Sequence, residues 1–594
     1  MISRWSLDFK TDKAIPGAEF PRCIPELSRN CECRGSRLES PTDDFLSWEA
    51  DVIRMTNLLR VFAAIVLWCL PSLLSAETPL RDTIDSQVRA VWDREKIVSA
   101  SPADDATFLR RVFLDLVGVI PTHDEAQAFL DDADDQKRTK MIDRLLDDPR
   151  YARHQADVWD MIYFGRNPPG YDAPKREGFQ TWLREAFSKN MPYDQLARAL
   201  LRAEGNTAEQ GAPMYLAQYA GRPEDASMAV SQTFLGVQLQ CARCHSHPFE
   251  TWTQQDFFGL AAFFSRLTTI RAGKVGQLDK VFVAEMNTGE IKFTGRAGED
   301  KPGKTGDVVK PKFLLAAMLD EPDLSAEFKD EKRPKEGEPP PAPKFSRKDK
   351  LAEWVATADN PMFVRAVVNR VWAQFMGRGL VHPVDNMSAS NPASHPELLA
   401  ELTREMVAHQ FDLKWLIREI CNSHAYQLGT TGDVGDAKPR WFERSRTRPL
   451  SAEELLESWR IATGYDEVFE RSGKKSEQRF HGVTWDYVKR YFGEPNNGVG
   501  DFQGGLQEHL YLNNGELGRL VVAETGGLLD AISKSDEPLP ERVDRLFVSV
   551  LTRRPTAEER TRFVEFLEVK DQSHERFREA IWALMTCSEF RFNQ

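Results

Sequence analysis

The chain has no G-x-S-x-G nucleophile elbow and no H-E-x-x-H zinc helix, and none of its glycine loops reads as phosphate-binding. Hydrolases of the common types therefore have no support. Cysteine is scarce, eight in 594 residues, which excludes a disulfide-scaffold protein. The formal net charge is -13 and no dense basic stripe occurs, so nothing favours nucleic acid as a partner. The apolar run Val61–Leu70 is shorter than the roughly 20 residues a membrane span needs.

Against these absences stands one motif, Cys241-Ala242-Arg243-Cys244-His245. C-x-x-C-H spacing suits covalent haem attachment, with two thioethers to the porphyrin edge and the adjoining imidazole on iron. That chemistry is completed outside the cytoplasm, which makes the compartment decisive. Met55–Ala76 reads as a secretory signal peptide: Arg60 precedes the apolar core, and Leu74-Ser75-Ala76 offers a small-residue cleavage site. Residues 1–54 would then be an extension upstream of the true start at Met55. The expectation is a periplasmic or otherwise exported protein with no stable membrane span after cleavage.

Four cysteines lie beyond residue 76. Cys421 and Cys587 sit in apolar helical patterns, where a buried thiol is the simplest reading. Helical signals dominate. Thr122 with Glu125, Ser394 with Glu397, Ser451 with Glu454 and Thr556 with Glu559 each have capping-box spacing before an amphipathic run. Strand patterns appear at Lys280–Glu285 and Glu290–Thr294, flanking Met286-Asn287-Thr288-Gly289 as a hairpin turn. The charged, proline-rich residues 329–350 read as a linker or exposed loop. The expected fold is mainly α: two helical domains, at 86–270 and 351–594, with a small β-containing insert at 271–328 between them.

Three groups of segments carry a family resemblance: Phe108–Gly118 with Pro121-Thr122; Phe234–Phe249, which contains the C-x-x-C-H motif; and Asn360-Pro361, Val368–Trp372 and Gly377–Asp385. They resemble large secreted planctomycete proteins that pair two domains of unknown function, the planctomycete cytochrome-type domain (DUF1549) and its companion (DUF1553). The resemblance covers nearly all of residues 86–594. It implies a DUF1549-like first domain holding the motif and a DUF1553-like second domain. The family's cytochrome label rests largely on C-x-x-C-H. Many relatives carry a further cytochrome c domain in front, which is expected to be absent here.

Around the motif, Asp225 is expected to cap a helix running through Gln240, delivering Cys241 at its end. Trp252, Phe257, Phe258, Leu260, Phe263 and Phe264 would supply apolar surface for a macrocycle, or else ordinary core. His247 lies too near His245 to reach the opposite face of the same iron. The sixth ligand would come from elsewhere, with Met228, Met286, His382 and Met387 as candidates. Two other readings stay open: a non-haem zinc, iron or copper site on Cys241, Cys244, His245 and His247, or a Cys241–Cys244 thiol pair or disulfide. A second polar cluster comprises Asn369, Arg370, His382, Asp385, Asn386, Ser394 and His395. It reads either as a presented acid-base or sugar-binding loop or as a structural unit held by an Arg370–Asp385 ion pair. The functions that follow are an exported c-type haem protein for electron transfer or redox chemistry with a redox partner protein, a non-haem metalloenzyme acting on carbohydrate, or a non-catalytic exported scaffold or binding protein. Whether the chain is an enzyme stays open.

Overall fold

A helix buried on every face belongs at the centre of a protein, and Asp105–Val117 is such a helix. The computed structural model describes residues 78–165, 177–245, 250–275, 278–294, 304–431, 438–464, 527–568 and 573–594. The extension, the signal peptide and His247 lie outside them. Asp104 starts the central helix by accepting the Thr107 amide at 2.7 Å. Gly118 ends it in the left-handed region at φ 69°, where a Cβ would strike His154 Nδ1 at 2.4 Å. Every residue from Phe108 to Val117 is buried, including Arg110, Arg111 and Asp115.

Those three charges tie distant parts of the chain together. Arg110 Nη2 donates to Phe590 O at 2.7 Å. Arg111 donates through Nη1 to Tyr426 O at 2.6 Å and through Nε to Gln594 O at 2.7 Å. Asp115 accepts from Arg448 Nη2 at 2.9 Å, Asn593 Nδ2 at 2.8 Å and the Tyr426 hydroxyl at 2.8 Å. Burying charge is costly unless it is paired and hydrogen-bonded, and here each group has partners supplied by the second helical region.

The fold is mainly helical, with helical regions before and after a small β-containing part. The two regions share their interior. One core cluster runs from Leu80 to Phe442 with Val548, and packs Ile84 and Phe108 together with Trp372 and Leu416. A second gathers Leu455, Trp459, Leu546 and Ile581, and takes in Leu114 and Ile120 from the central helix and the turn after it. Each large apolar side chain fully buried there is worth about 1.5–3 kcal/mol. No helix among the described residues is long and apolar enough to cross a membrane.

Capping boxes form at Thr122, Ser451 and Thr556. A fourth closes at Thr253, where Asp256 takes the place of Glu. Ser394 does not cap. Proline occupies the first turn of its helix, Pro396–Ala408, and moves the cap to His395. Ser394 Oγ bonds His395 Nδ1 at 3.0 Å instead.

The β part differs from the expected hairpin. Strand β1 (Gly205–Asn206), β2 (Leu267–Val275) and β3 (Leu278–Glu285) form an antiparallel sheet in the order β1-β3-β2. In its register Leu267 faces Glu285. Residues 280–285 thus pair with the preceding strand. Ile291–Lys292 (β4) pairs instead with Val308–Val309 (β5). Glu331 explains the turn that does not form: its carboxylate accepts from the Asn287 and Thr288 amides and from both their side chains, at 2.8–3.2 Å. The stretch expected as a hairpin turn is a loop pinned by a distant acid. The expected linker also ends early. Ser346 caps the helix Arg347–Val355, and Arg347 is fully buried, with Nη2 on Glu321 at 2.7 Å and Nη1 on Ser265 Oγ at 2.9 Å. A last strand pair joins Arg448–Pro449 (β6) to Phe592–Asn593 (β7).

Candidate functional site

The helix Pro223–Val230 passes directly into a π-helical turn, Ser231–Leu235. Gly236 stops it at φ 67°, so it never reaches Gln240, and Arg222 rather than Asp225 stands at its N-cap. A Cβ on Gly236 would come within 3.1 Å of Met387 Sδ and 3.3 Å of Ala366 Cβ. Glycine is therefore required both for the backbone angle and for the close approach. Gly236 O accepts the Met387 amide at 2.8 Å, Gln238 donates to Asp385 at 3.1 Å and Glu250 accepts from Ser390 at 2.8 Å. The chain on either side of the C-x-x-C-H motif is thus fastened to the loop 382–391. The two polar clusters singled out in the sequence adjoin each other.

The motif occupies a short 3-10 turn, Gln240–Arg243. Ala242 is buried and anchors it. Cys241 is half-buried, while Cys244 and His245 are exposed. The Cys244 and His245 amides both donate to Cys241 O, at 3.3 and 3.4 Å, and Arg243 pairs with Glu224 at 2.6 Å. All four described cysteines are free thiols. Cys241 and Cys244 are not bridged, nor are Cys421 and Cys587. Burial pushes the Cys421 thiol well above its usual range and raises Cys587, as expected of inert packed thiols.

The aromatic stretch downstream is core and offers no docking surface. Trp252, Phe257, Phe258, Leu260, Phe263 and Phe264 are all buried. Phe258 packs edge-on against Phe293 at 5.1 Å, and Phe263 against Phe313 at 4.9 Å. Protein already fills the space a macrocycle would need beside them. Among the described residues no three His, Cys, Asp or Glu side chains converge to hold a metal ion, so Cys241, Cys244 and His245 are not a preassembled ligand set. Of the proposed sixth ligands, Met387 packs against Gly236 just upstream of the motif. Met228 lies on the helix Pro223–Val230, and Met286 follows β3, its amide donating to Arg266 O at 2.9 Å. His382 is exposed beside Arg378, and burial and that guanidinium lower its basicity.

The polar cluster of the second region divides into structure and surface. Asn369 is fully buried, donating to Val381 O at 2.8 Å and accepting its amide at 2.9 Å. Arg370 and Asp385 do not pair. Arg370 Nη2 donates to Gln232 O at 3.2 Å and Asp385 accepts from Gln238, so each holds the π-helical segment or its continuation. Asn386 O accepts from Asn391 at 2.8 Å. His395 is buried, pushed down to about 4 by burial, Arg94 and Arg440.

Two adjoining clefts open where the regions meet. One, of about 270 Å³, has Val158, Ile162, Ala373 and Val384 on its apolar side. Its polar side includes His154, whose imidazole burial pushes down to about 4, and the Arg448–Glu454 pair. Burial alone would raise the Glu454 carboxyl, but Arg448, at 2.7 Å, holds it below its ordinary value. The other cleft, of about 400 Å³, runs past Arg94, Asn391 and Arg440. Arg378 and His382 line both. These clefts depend on contacts between residues more than 200 positions apart, and only the blocks containing Arg370 and His382 were legible as candidates.

Contrary to the reading that no glycine loop is phosphate-binding, the spacing Gly298-x4-Gly303-Lys304-Thr305 does fit such a loop. Gly298 and Gly303 lie outside the described residues, but Lys304 and Thr305 lead into β5, not into the helix N-terminus that such a loop requires.

Residues 83–269 match the family model described as PSCyt2, a protein of unknown function (DUF1549). Residues 347–492 match PSD1, a protein of unknown function (DUF1553). No curated protein and no solved structure matches the chain. The central helix, the motif-bearing turn and the cleft-lining loop fall within these two matched stretches, and the chain belongs to the family that pairs DUF1549 with DUF1553.

Proposed function

We propose that this is an exported, periplasmic protein that attaches haem c through Cys241 and Cys244, with His245 as an axial ligand, and serves electron transfer or redox chemistry with a partner protein. One observation supports the reading most: two unbridged thiols and the following imidazole share a single turn, with Cys244 and His245 open to solvent. Thioether formation needs free thiols that the porphyrin edge can reach. Bound haem would supply one-electron chemistry, and the protein would set its potential through burial and the axial partner. The buried aromatics of residues 252–264 take no part in holding it. The chain's own contribution is the rigid presentation of the turn, through Ala242 in the core, the Arg243–Glu224 pair and the bond from Met387 to Gly236.

The test is haem staining after denaturing electrophoresis of protein exported alongside a cytochrome maturation system. Covalent colour should appear, and should be lost in Cys241→Ser with Cys244→Ser. A colourless wild-type protein under those conditions ends the reading. Zinc, iron or copper in such a colourless protein, measured by elemental analysis, would point to a non-haem metalloenzyme. A metal-free, colourless protein would point to a scaffold.

A further inference from the structure

We propose that the clefts around Arg378 form a binding site for a small organic oxyanion, a carboxylate or a sulfate or phosphate ester, with its charge on Arg378 and Arg440 and its apolar body against Val158, Ile162, Ala373 and Val384. The proposal is independent of haem attachment.

Its ground is the bonding of the arginines. Across the described residues, most half-buried guanidinium groups have a carboxylate or several carbonyls. Arg150 has Asp148 and Glu125; Arg553 has Glu559 and Glu589. Arg378 is half-buried and has no hydrogen bond and no ion pair among the described residues. Its Nε is shut off from solvent and unpartnered, so it loses water without compensation. The charges that act on it are those of Arg440 and of Arg446, of the same sign, although Arg446 is itself paired with Glu443. Arg440 is exposed, has no carboxylate partner among the described residues, and rests over the Trp441 ring at 4.3 Å. Arg370, on the neighbouring wall, has only the Gln232 carbonyl, and its Nε is likewise buried and unpartnered. The chain as a whole is acidic, net -13, so unpaired cations collected at a concave surface are not a reflection of composition.

Guanidinium groups with free N–H donors in a sheltered site match the planar or tetrahedral oxygens of carboxylate, sulfate and phosphate. The apolar wall beside them adds room for more than an inorganic ion. Two carboxylates line the second cleft as well: Glu95, which pairs with Arg94 at 3.2 Å, and Glu397. They leave Arg378 unpaired. In the apolar cleft His154 is neutral, and Asp115 and Glu454 are both bonded to Arg448, so neither acid pairs with Arg378.

The experiment is calorimetric titration of the full chain with sodium benzoate and, separately, sodium sulfate, at constant ionic strength set with chloride. Saturable benzoate binding, tighter than sulfate, is expected. Losing a charge-assisted bond should weaken it about tenfold or more in Arg378→Gln and in Arg440→Gln. Arg562→Gln, at an exposed helical pair far along the chain, should leave it unchanged. Circular dichroism and thermal unfolding check that each variant folds, and two separate positions keep the test decisive if one fails. Sulfate binding as tight as benzoate overturns the organic ligand. No saturable binding of either probe, or equal binding in all three variants, overturns the site.

Discussion

Two sets of arginines in this protein, one at the centre and one lining the clefts, are treated in opposite ways. Arg110, Arg111 and Arg448 meet at and around the central helix, and each finds carbonyls or carboxylates from distant segments. Arg370, Arg378 and Arg440 line the clefts where the same regions come together, and none of them meets a carboxylate among the described residues. In the first set the fold supplies each guanidinium with carbonyls or a carboxylate, although Arg110 Nε and Arg111 Nη2 stay buried without a partner. In the second set Arg378 and Arg440 line open clefts with no carboxylate partner among the described residues. The contrast distinguishes charge used to hold the two family regions together from charge left available.

The largest effect should come from breaking the first set. Asp115→Ala removes the acceptor for Arg448, Asn593 and Tyr426 at once, and should lower the unfolding free energy by about 3–5 kcal/mol, read by denaturant titration. A loss no larger than that of an exposed acid would mean the clamp is incidental.

A pH effect comes next. His154 has its folded pKa pushed from 6.5 down to about 4 by burial. Between those values the unfolded chain holds more protons than the folded one, so stability is fully present above pH 6.5. It should fall by up to about 3 kcal/mol as the pH drops towards 4. His154→Gln should flatten that slope in thermal melts from pH 7 to 4, and an unchanged slope would assign it to other groups.

On a smaller scale, two residues with the same capping-box spacing should part company. Thr556→Ala should cost about 1 kcal/mol, the usual worth of an N-cap. Ser394→Ala should cost clearly less, because Pro396 has moved that cap. Equal losses would contradict the cap assignment. Smallest of all, Arg378→Gln should change stability by less than about 0.5 kcal/mol without ligand, because no intramolecular bond is lost. A loss like that of Asp115→Ala would place Arg378 in the structural set.

Much of the helical framework was legible in the chain itself. Thr122, Ser451 and Thr556 bond to groups three residues away, so their roles follow from spacing alone. The family pairing was equally readable from runs such as Phe108–Gly118. The site was less so. The C-x-x-C-H motif was plain, but the helix thought to deliver it stops at Gly236, which turns left-handed where Met387 and Ala366 leave no room for a Cβ. The aromatics of residues 252–264 read equally as haem wall or core, since period and composition do not distinguish an open apolar face from one covered by Phe293 and Phe313. Strand 280–285 was found but given the wrong partner. The decisive carboxylate, Glu331, lies more than 40 residues downstream.

The linear chain by itself determined where helices begin, which thiols are adjacent and which family the protein joins, because those properties rest on neighbours within a few positions. Only the tertiary structure decided which charges are satisfied. Asp115 and Arg448 are separated by over 300 residues, and Arg378 differs from them in the surroundings that folding assembled rather than in its own chemistry. A charge's partners are a matter of distance in space, and sequence separation does not report that distance.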